Sequence, residues 1–186
     1  MEFTVLKTRI KISPLFFAVL TAFLISDKTG IAVYAILFSS LHEASHFLAL
    51  VCGKIGIKEL DLSVFGIRII LPNTMSTARK ITVLMAGFTV NFILASFFFI
   101  IKNPVFGYIN LAIGMMTAVP LSSTDGGEIL KILMQEYCYD KSERIIKILF
   151  IIFGIVFIIL LTAAAVYFKN YYIFIAVFYI ILNMAK

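Results

Sequence analysis

The stretch FSSLHEASHFLAL, Phe38 to Leu50, carries both histidines of the chain, with a glutamate between them, inside a run of apolar residues. A charge at the centre of a bilayer costs about 2.5–3.5 kcal/mol or more, so such groups face a protein interior or a wet cavity and serve function. In a helix, residues four apart are turned by about 400° and share a face. His42 and His46 therefore project two imidazoles to one side, one turn apart. Neutral imidazole is a good zinc ligand, and this spacing lets both rings reach one ion. Glu43 lies about 100° around the helix from His42. From there it can flank an ion without ligating it and accept a proton from water.

The rest of the chain supplies the membrane. It has 186 residues, 62% of them hydrophobic, with a mean hydropathy of +1.06. Soluble domains are only about 45–50% apolar. The apolar runs predict six spans: about Ile12–Ser26, Ile31–Cys52, Ile81–Ile101, about Val105–Leu121, about Ile148–Phe168 and about Tyr171–Ala185. A helix needs about 20 apolar residues to cross, so the first, fourth and sixth are short. Lys7, Arg9 and Lys11 precede the first span as they would a signal peptide. No small-x-small cleavage site follows, so an uncleaved helix is expected.

Charge orients the spans. Of 16 lysines and arginines, all but Lys28, Lys102 and Lys169 fall on one side if both termini are cytoplasmic. Positive charge gathers on the cytoplasmic side, so both termini are placed there. Tyr167, Tyr171 and Tyr172 flank the last outer turn, where an aromatic belt is expected. The net charge of +6 belongs to this pattern and not to a nucleic-acid surface, since no basic run exceeds two residues. Cys52 and Cys138 form neither a disulfide framework nor a metal spacing.

Two inner loops have content. In IKELDLSVFGIRIIL, residues 57–71, Leu60, Leu62 and Val64 alternate with Asp61 and Ser63, Gly66 interrupts, and Ile67-Arg68-Ile69 resumes. Period two predicts a strand pair at the membrane face. The second loop, about Ser122 to Glu143, opens on SSTDGG and continues as a short helix. The expected fold is an all-α polytopic membrane protein of six helices, with a short membrane-associated β-ribbon after the second. It forms a single membrane-embedded domain over 1–186, with a metal-binding core at about 31–135 and two further helices at about 145–185.

A catalytic zinc keeps three protein ligands and one open position. No third histidine exists, so a carboxylate, a cysteine or a neutral oxygen must complete the set. Asp125 is the best candidate, because it follows span 4 on the inner side that span 2 approaches. Gly126 and Gly127 then allow close backbone packing. Glu128 is the competitor, and a plain turn with Asp125 capping a helix is the alternative reading.

HEASH on an early helix, AGFTVN on a later one and VPLSSTDGG beyond it resemble the site-2 proteases, a family of intramembrane zinc metalloproteases. The similarity covers about residues 10–135. The six spans, the short first helix and the ribbon with VFGIRI look most like the stage IV sporulation branch, whose enzyme cleaves a membrane-associated pro-sigma factor. The resemblance implies one zinc per chain held by His42, His46 and Asp125, with Glu43 as catalytic base. It implies that Gly87 permits close packing of span 3 on the catalytic helix and that Asn91 lies near the site. The ribbon from Leu60 to Leu71, with Phe65 and Gly66, would help to hold substrate. Thr117 stands where the family has an asparagine, Pro120 is retained, and Ser123 and Phe88 replace prolines. The partners implied are a membrane-associated protein substrate and a membrane regulator; no oligomeric state follows.

Three other readings compete. A zinc transporter would need ligands at successive depths on several helices, and the other spans offer almost none. A prenyl-type membrane protease would take a glutamate ligand from a later helix, but spans 5 and 6 contain none. An inactive relative that only binds partners is disfavoured by the intact Glu43. At about 1.5 Å per residue, His46 lies about 9 Å and His42 about 15 Å from the inner end of span 2 near Cys52. Cleavage is therefore expected just below the cytoplasmic surface.

Overall fold

In lipid a backbone must satisfy its own hydrogen bonds, and a helix does so within one segment. The computed structural model describes residues 2–5, 8–56, 59–63, 66–70, 75–122, 124–137 and 142–167. The chain divides into two compact units, Met1–Met116 and Thr117–Lys186. The first holds β1 (Glu2–Val5), β2 (Thr8–Ile12), α1 (Pro14–Ser26), α2 (Ile31–Cys52), β3 (Glu59–Ser63), β4 (Gly66–Ile70), α3 (Thr77–Ile100) and nearly all of α4 (Pro104–Ala118). The second holds α5 (Asp125–Tyr137) and α6 (Ser142–Tyr167).

Among the described residues, Ile31–Cys52, Thr77–Ile100 and Glu143–Ala163 are long and apolar enough to cross a membrane. We therefore read the chain as a membrane protein. Helices α1 and α4 have 13 and 15 residues. At about 1.5 Å per residue they reach about 20–23 Å, short of a hydrocarbon core of about 30 Å. The expected sixth span, with Tyr171 and Tyr172, lies outside the described residues. Six expected crossings thus correspond, among the described residues, to three helices of full length and two shorter ones.

The strands form one sheet in the order β1-β2-β3-β4. β1 and β2 are antiparallel, β2 and β3 parallel, and β3 and β4 antiparallel. The parallel pair needs a crossover, which α1 and α2 provide. β3 and β4 occupy the stretch expected to form a ribbon, with Leu60 opposite Ile69 and Ser63 opposite Gly66. Val64, Phe65 and residues 71–74 lie outside the described residues. Arg9 and Lys11, expected only to precede the first span, lie in strand β2, and Lys7 lies outside the described residues. Arg9 and Lys11 alternate with Ile10 and Ile12, which is strand periodicity. The register sets Arg9 across from Glu59 and Lys11 across from Asp61.

Helix α2 is amphipathic in a membrane sense. Leu37, Leu41 and Leu48 are exposed, as lipid-facing residues are, while Phe38, His42, His46 and Leu50 on the other side are buried. Phe38, Phe98 and Phe106, one from each of α2, α3 and α4, pack edge to face with centroids 5.3–5.6 Å apart. Each such pair contributes about 0.5–1.5 kcal/mol beyond its buried area. The cluster closes the interior one helical turn from His42.

The start of α2 is capped from outside. Asp27 Oδ1 accepts hydrogen bonds from the Thr29 amide and hydroxyl at 2.8 and 2.6 Å, and Oδ2 accepts one from the Ala32 amide at 2.7 Å. Gly30 makes the left-handed turn between them, with φ 76°. The Thr29 hydroxyl first, and then the Ala32 amide, hold the Asp27 carboxyl below its ordinary value. A lowered folded-state pKa gives stability that is present above the unfolded value of about 3.9 and is lost as pH falls through the lower folded value. We expect amide protection factors in the first turn of α2 to fall on acidification below about pH 4. In Asp27→Ala they should be low already and insensitive to pH. Unchanged native protection through that range would refute the cap.

Candidate metal centre

Two helices build the centre within the first unit. The buried residues of α3 are Val83, Gly87, Asn91 and Ala95, four apart along one face. That face meets the side of α2 bearing His42 and His46. Gly87 lies against both imidazoles: a Cβ added there would sit 2.5 Å from His46 Nε2 and 2.6 Å from His42 Cε1. Any larger residue would occupy the space the rings need.

Second partners fix how each ring is protonated. His46 Nδ1 lies 2.7 Å from the Val83 carbonyl oxygen, which can only accept. Nδ1 of His46 is therefore the N–H donor, and its Nε2 presents a lone pair in the neutral ring. His42 Nδ1 lies 2.7 Å from Asn91 Oδ1. Asn91 Nδ2 donates to Asn110 Oδ1 at 3.2 Å, and Asn110 Nδ2 donates to the Phe106 carbonyl oxygen at 2.9 Å. The orientation of Asn91 follows, so His42 Nδ1 is also a donor and its Nε2 a lone pair.

The two Nε2 atoms face each other 3.3 Å apart. Two lone pairs at that distance repel unless a cation lies between them. Ligands bound at about 2.0–2.1 Å and a tetrahedral angle stand about 3.3 Å apart, so the pair fits one tetrahedral metal ion. Both rings are about 95% buried, and donation of Nδ1–H to a carbonyl or amide oxygen is the usual way a ligand imidazole is oriented.

Glu43 is half-buried on α2, next to His42. Gly87 and Asn91 both line the centre. Gly66 begins β4 in the sheet, and Phe65 lies outside the described residues. Thr117, the next-to-last residue of α4, is half-buried. Cys52 is exposed, and Cys138 lies outside the described residues. Asn110 is the residue the sequence reading missed. It is fully buried, and the available signal was an amide side chain in the apolar run of α4, where an unsatisfied polar group is costly.

In the second unit, Asp125 opens α5. Thr124 ties the approach to it. Its hydroxyl donates to the Val119 and Leu121 carbonyls at 2.5 and 3.1 Å and accepts from the Gly127 amide at 3.2 Å. The last bond is an N-cap contact to the third residue of the helix. A Cβ on Gly126 would collide with the Ala118 carbonyl oxygen, and one on Gly127 with the Leu121 carbonyl oxygen. The two glycines are thus required by backbone approach. Glu128 pairs with Lys131 at 2.8 Å, and the same ammonium reaches the Ser122 carbonyl at 3.3 Å.

No family model matches the sequence, and no curated protein matches it. Among solved structures, the site-2 protease from Methanocaldococcus jannaschii is similar over 100% of this chain and 93% of that chain, with a TM-score of 0.66 and 18% sequence identity. This chain and the archaeal site-2 protease share a fold.

Proposed function

We propose that this chain is a zinc-dependent endopeptidase that cuts a membrane-embedded or membrane-associated protein, with His42, His46 and Asp125 as ligands and Glu43 as the proton carrier. The observation that carries this reading is the pair of buried Nε2 atoms held 3.3 Å apart, on rings whose Nδ1 atoms each face an acceptor oxygen. The shared fold with the site-2 protease from Methanocaldococcus jannaschii supports hydrolysis over transport. A carboxylate suits the third position, and Asp125 offers one. Glu128 is the weaker choice because it is half exposed and already paired with Lys131.

Zinc held by these residues would supply a Lewis acid that makes water a stronger acid. Glu43 would take a proton from the attacking water as the water oxygen bonds to the scissile carbonyl carbon. The C–N bond then breaks, and Glu43 hands the proton to the departing amine. Asn91 and the Val83 carbonyl hold the two imidazoles still while this happens. Six crossings with both termini in the cytoplasm, cleavage near the cytoplasmic face, and an extended substrate added to the β4 edge complete the reading. A pro-sigma factor or another membrane-tethered regulator is the substrate class that the sequence resemblance favours.

Purified protein is expected to hold about one zinc per chain. Asp125→Ala should lose its metal to a chelator that leaves the native protein loaded, while Glu128→Ala should behave as native. The opposite pattern would move the third ligand to Glu128. Vesicles containing the protein should cleave a co-reconstituted membrane-tethered substrate without moving zinc across the bilayer. Zinc flux without cleavage would replace the protease with a transporter.

A further inference from the structure

The polar groups buried between α2, α3 and α4 form a line with a direction. It begins at the Phe106 carbonyl, passes through Asn110 and Asn91, and ends at His42 Nδ1. Asn91 and Asn110 are both 0% exposed. Two primary amides in series can be arranged in two polarities, with every oxygen and nitrogen exchanged. The Phe106 oxygen breaks that symmetry because it accepts and never donates. With Asn110 reversed, its oxygen would face the Phe106 oxygen and its N–H2 would face that of Asn91, so two acceptors and two donors would oppose each other in a dry interior. With Asn91 reversed, an N–H would face His42 Nδ1. The ring would then accept at Nδ1 and carry its proton on Nε2, the nitrogen that faces His46.

We propose that Asn110 is a positioning residue which, through Asn91, holds His42 in the tautomer whose Nε2 can bind a metal. The role does not require Asn110 to touch metal or substrate. It rests on the metal reading of the His42–His46 pair, and it assigns to α4 a function that no motif on α2 or α3 supplies. Packing also selects this arrangement. Gly114 on α4 lets the helix approach α3 until a Cβ there would meet Asn91 Cβ at 3.3 Å, which brings Asn110 within reach of Asn91.

The chain has two histidines, so nitrogen NMR of histidine-labelled, metal-free protein in lipid nanodiscs resolves only four ring nitrogens. The native protein should show His42 protonated at Nδ1 and bare at Nε2. Asn110→Leu should populate the other tautomer and weaken cobalt(II) binding by about 10–100-fold, the usual effect of losing an outer partner of a ligand histidine. Adding Asn91→Asp to that variant should restore both, because a carboxylate accepts through either oxygen and needs no orienting neighbour. A purely structural Asn110 would not move the tautomer or respond to this rescue. Asn110→Leu with native tautomer and native cobalt affinity overturns the proposal. If that variant does not fold, the native spectrum still decides, since a proton on His42 Nε2 overturns it too. Native tautomers in a protein that binds no cobalt would leave the relay standing and remove the metal reading instead.

Discussion

Glu43→Gln is expected to leave the metal content unchanged while cleavage falls by about 10²–10⁴-fold, the range that general acid–base catalysis contributes. Glutamine keeps the size and hydrogen-bonding reach of glutamate but cannot take a proton from water. The separation of the two readouts is built into α2. His42 and His46 share a face, whereas Glu43 lies about 100° away from His42, and the Nδ1 atom of each imidazole is held from α3. Their partners are Asn91 and the Val83 carbonyl. Metal analysis of the purified variant, alongside cleavage of a membrane-tethered substrate in the same vesicles, checks both halves. Retained turnover would assign the base to another group. Loss of metal together with turnover would make Glu43 a part of the binding set.

Gly87→Ala is expected to have the opposite signature, loss of metal before loss of chemistry. Its new Cβ would lie 2.5 Å from one imidazole and 2.6 Å from the other, about 1 Å inside ordinary van der Waals contact. A surface side chain would swing away. These rings cannot do so without giving up their Nδ1 bonds, each 2.7 Å long. Overpacking of this kind costs about 1–3 kcal/mol of stability, and metal affinity should drop by more than the roughly 100-fold seen when one outer partner is lost. Gly56→Ala is the control, since nothing lies within 4 Å of a Cβ at that position. A Gly87→Ala protein that retains metal with native affinity would show that the rings do not lie against α3 as described.

The sequence by itself determined the helical register of the site and the apolar runs around it. The i to i+4 geometry of a helix is local, so two histidines four apart had to share a face, and long apolar runs had to become helices in lipid. The alternation after α2 was legible as strand for the same reason, because a period of two needs no knowledge of the partner. Tertiary structure alone decided what those elements meet. The charges in the N-terminal segment hid a strand whose parallel partner, β3, lies some fifty residues along the chain. The tautomers of His42 and His46 depend on a carbonyl of α3 and on an amide of α4, contacts that no periodicity encodes. Asn110 was visible as a polar residue in an apolar run, but its direction of donation was set only when the Phe106 carbonyl, an acceptor without a proton to give, was placed at the end of the line.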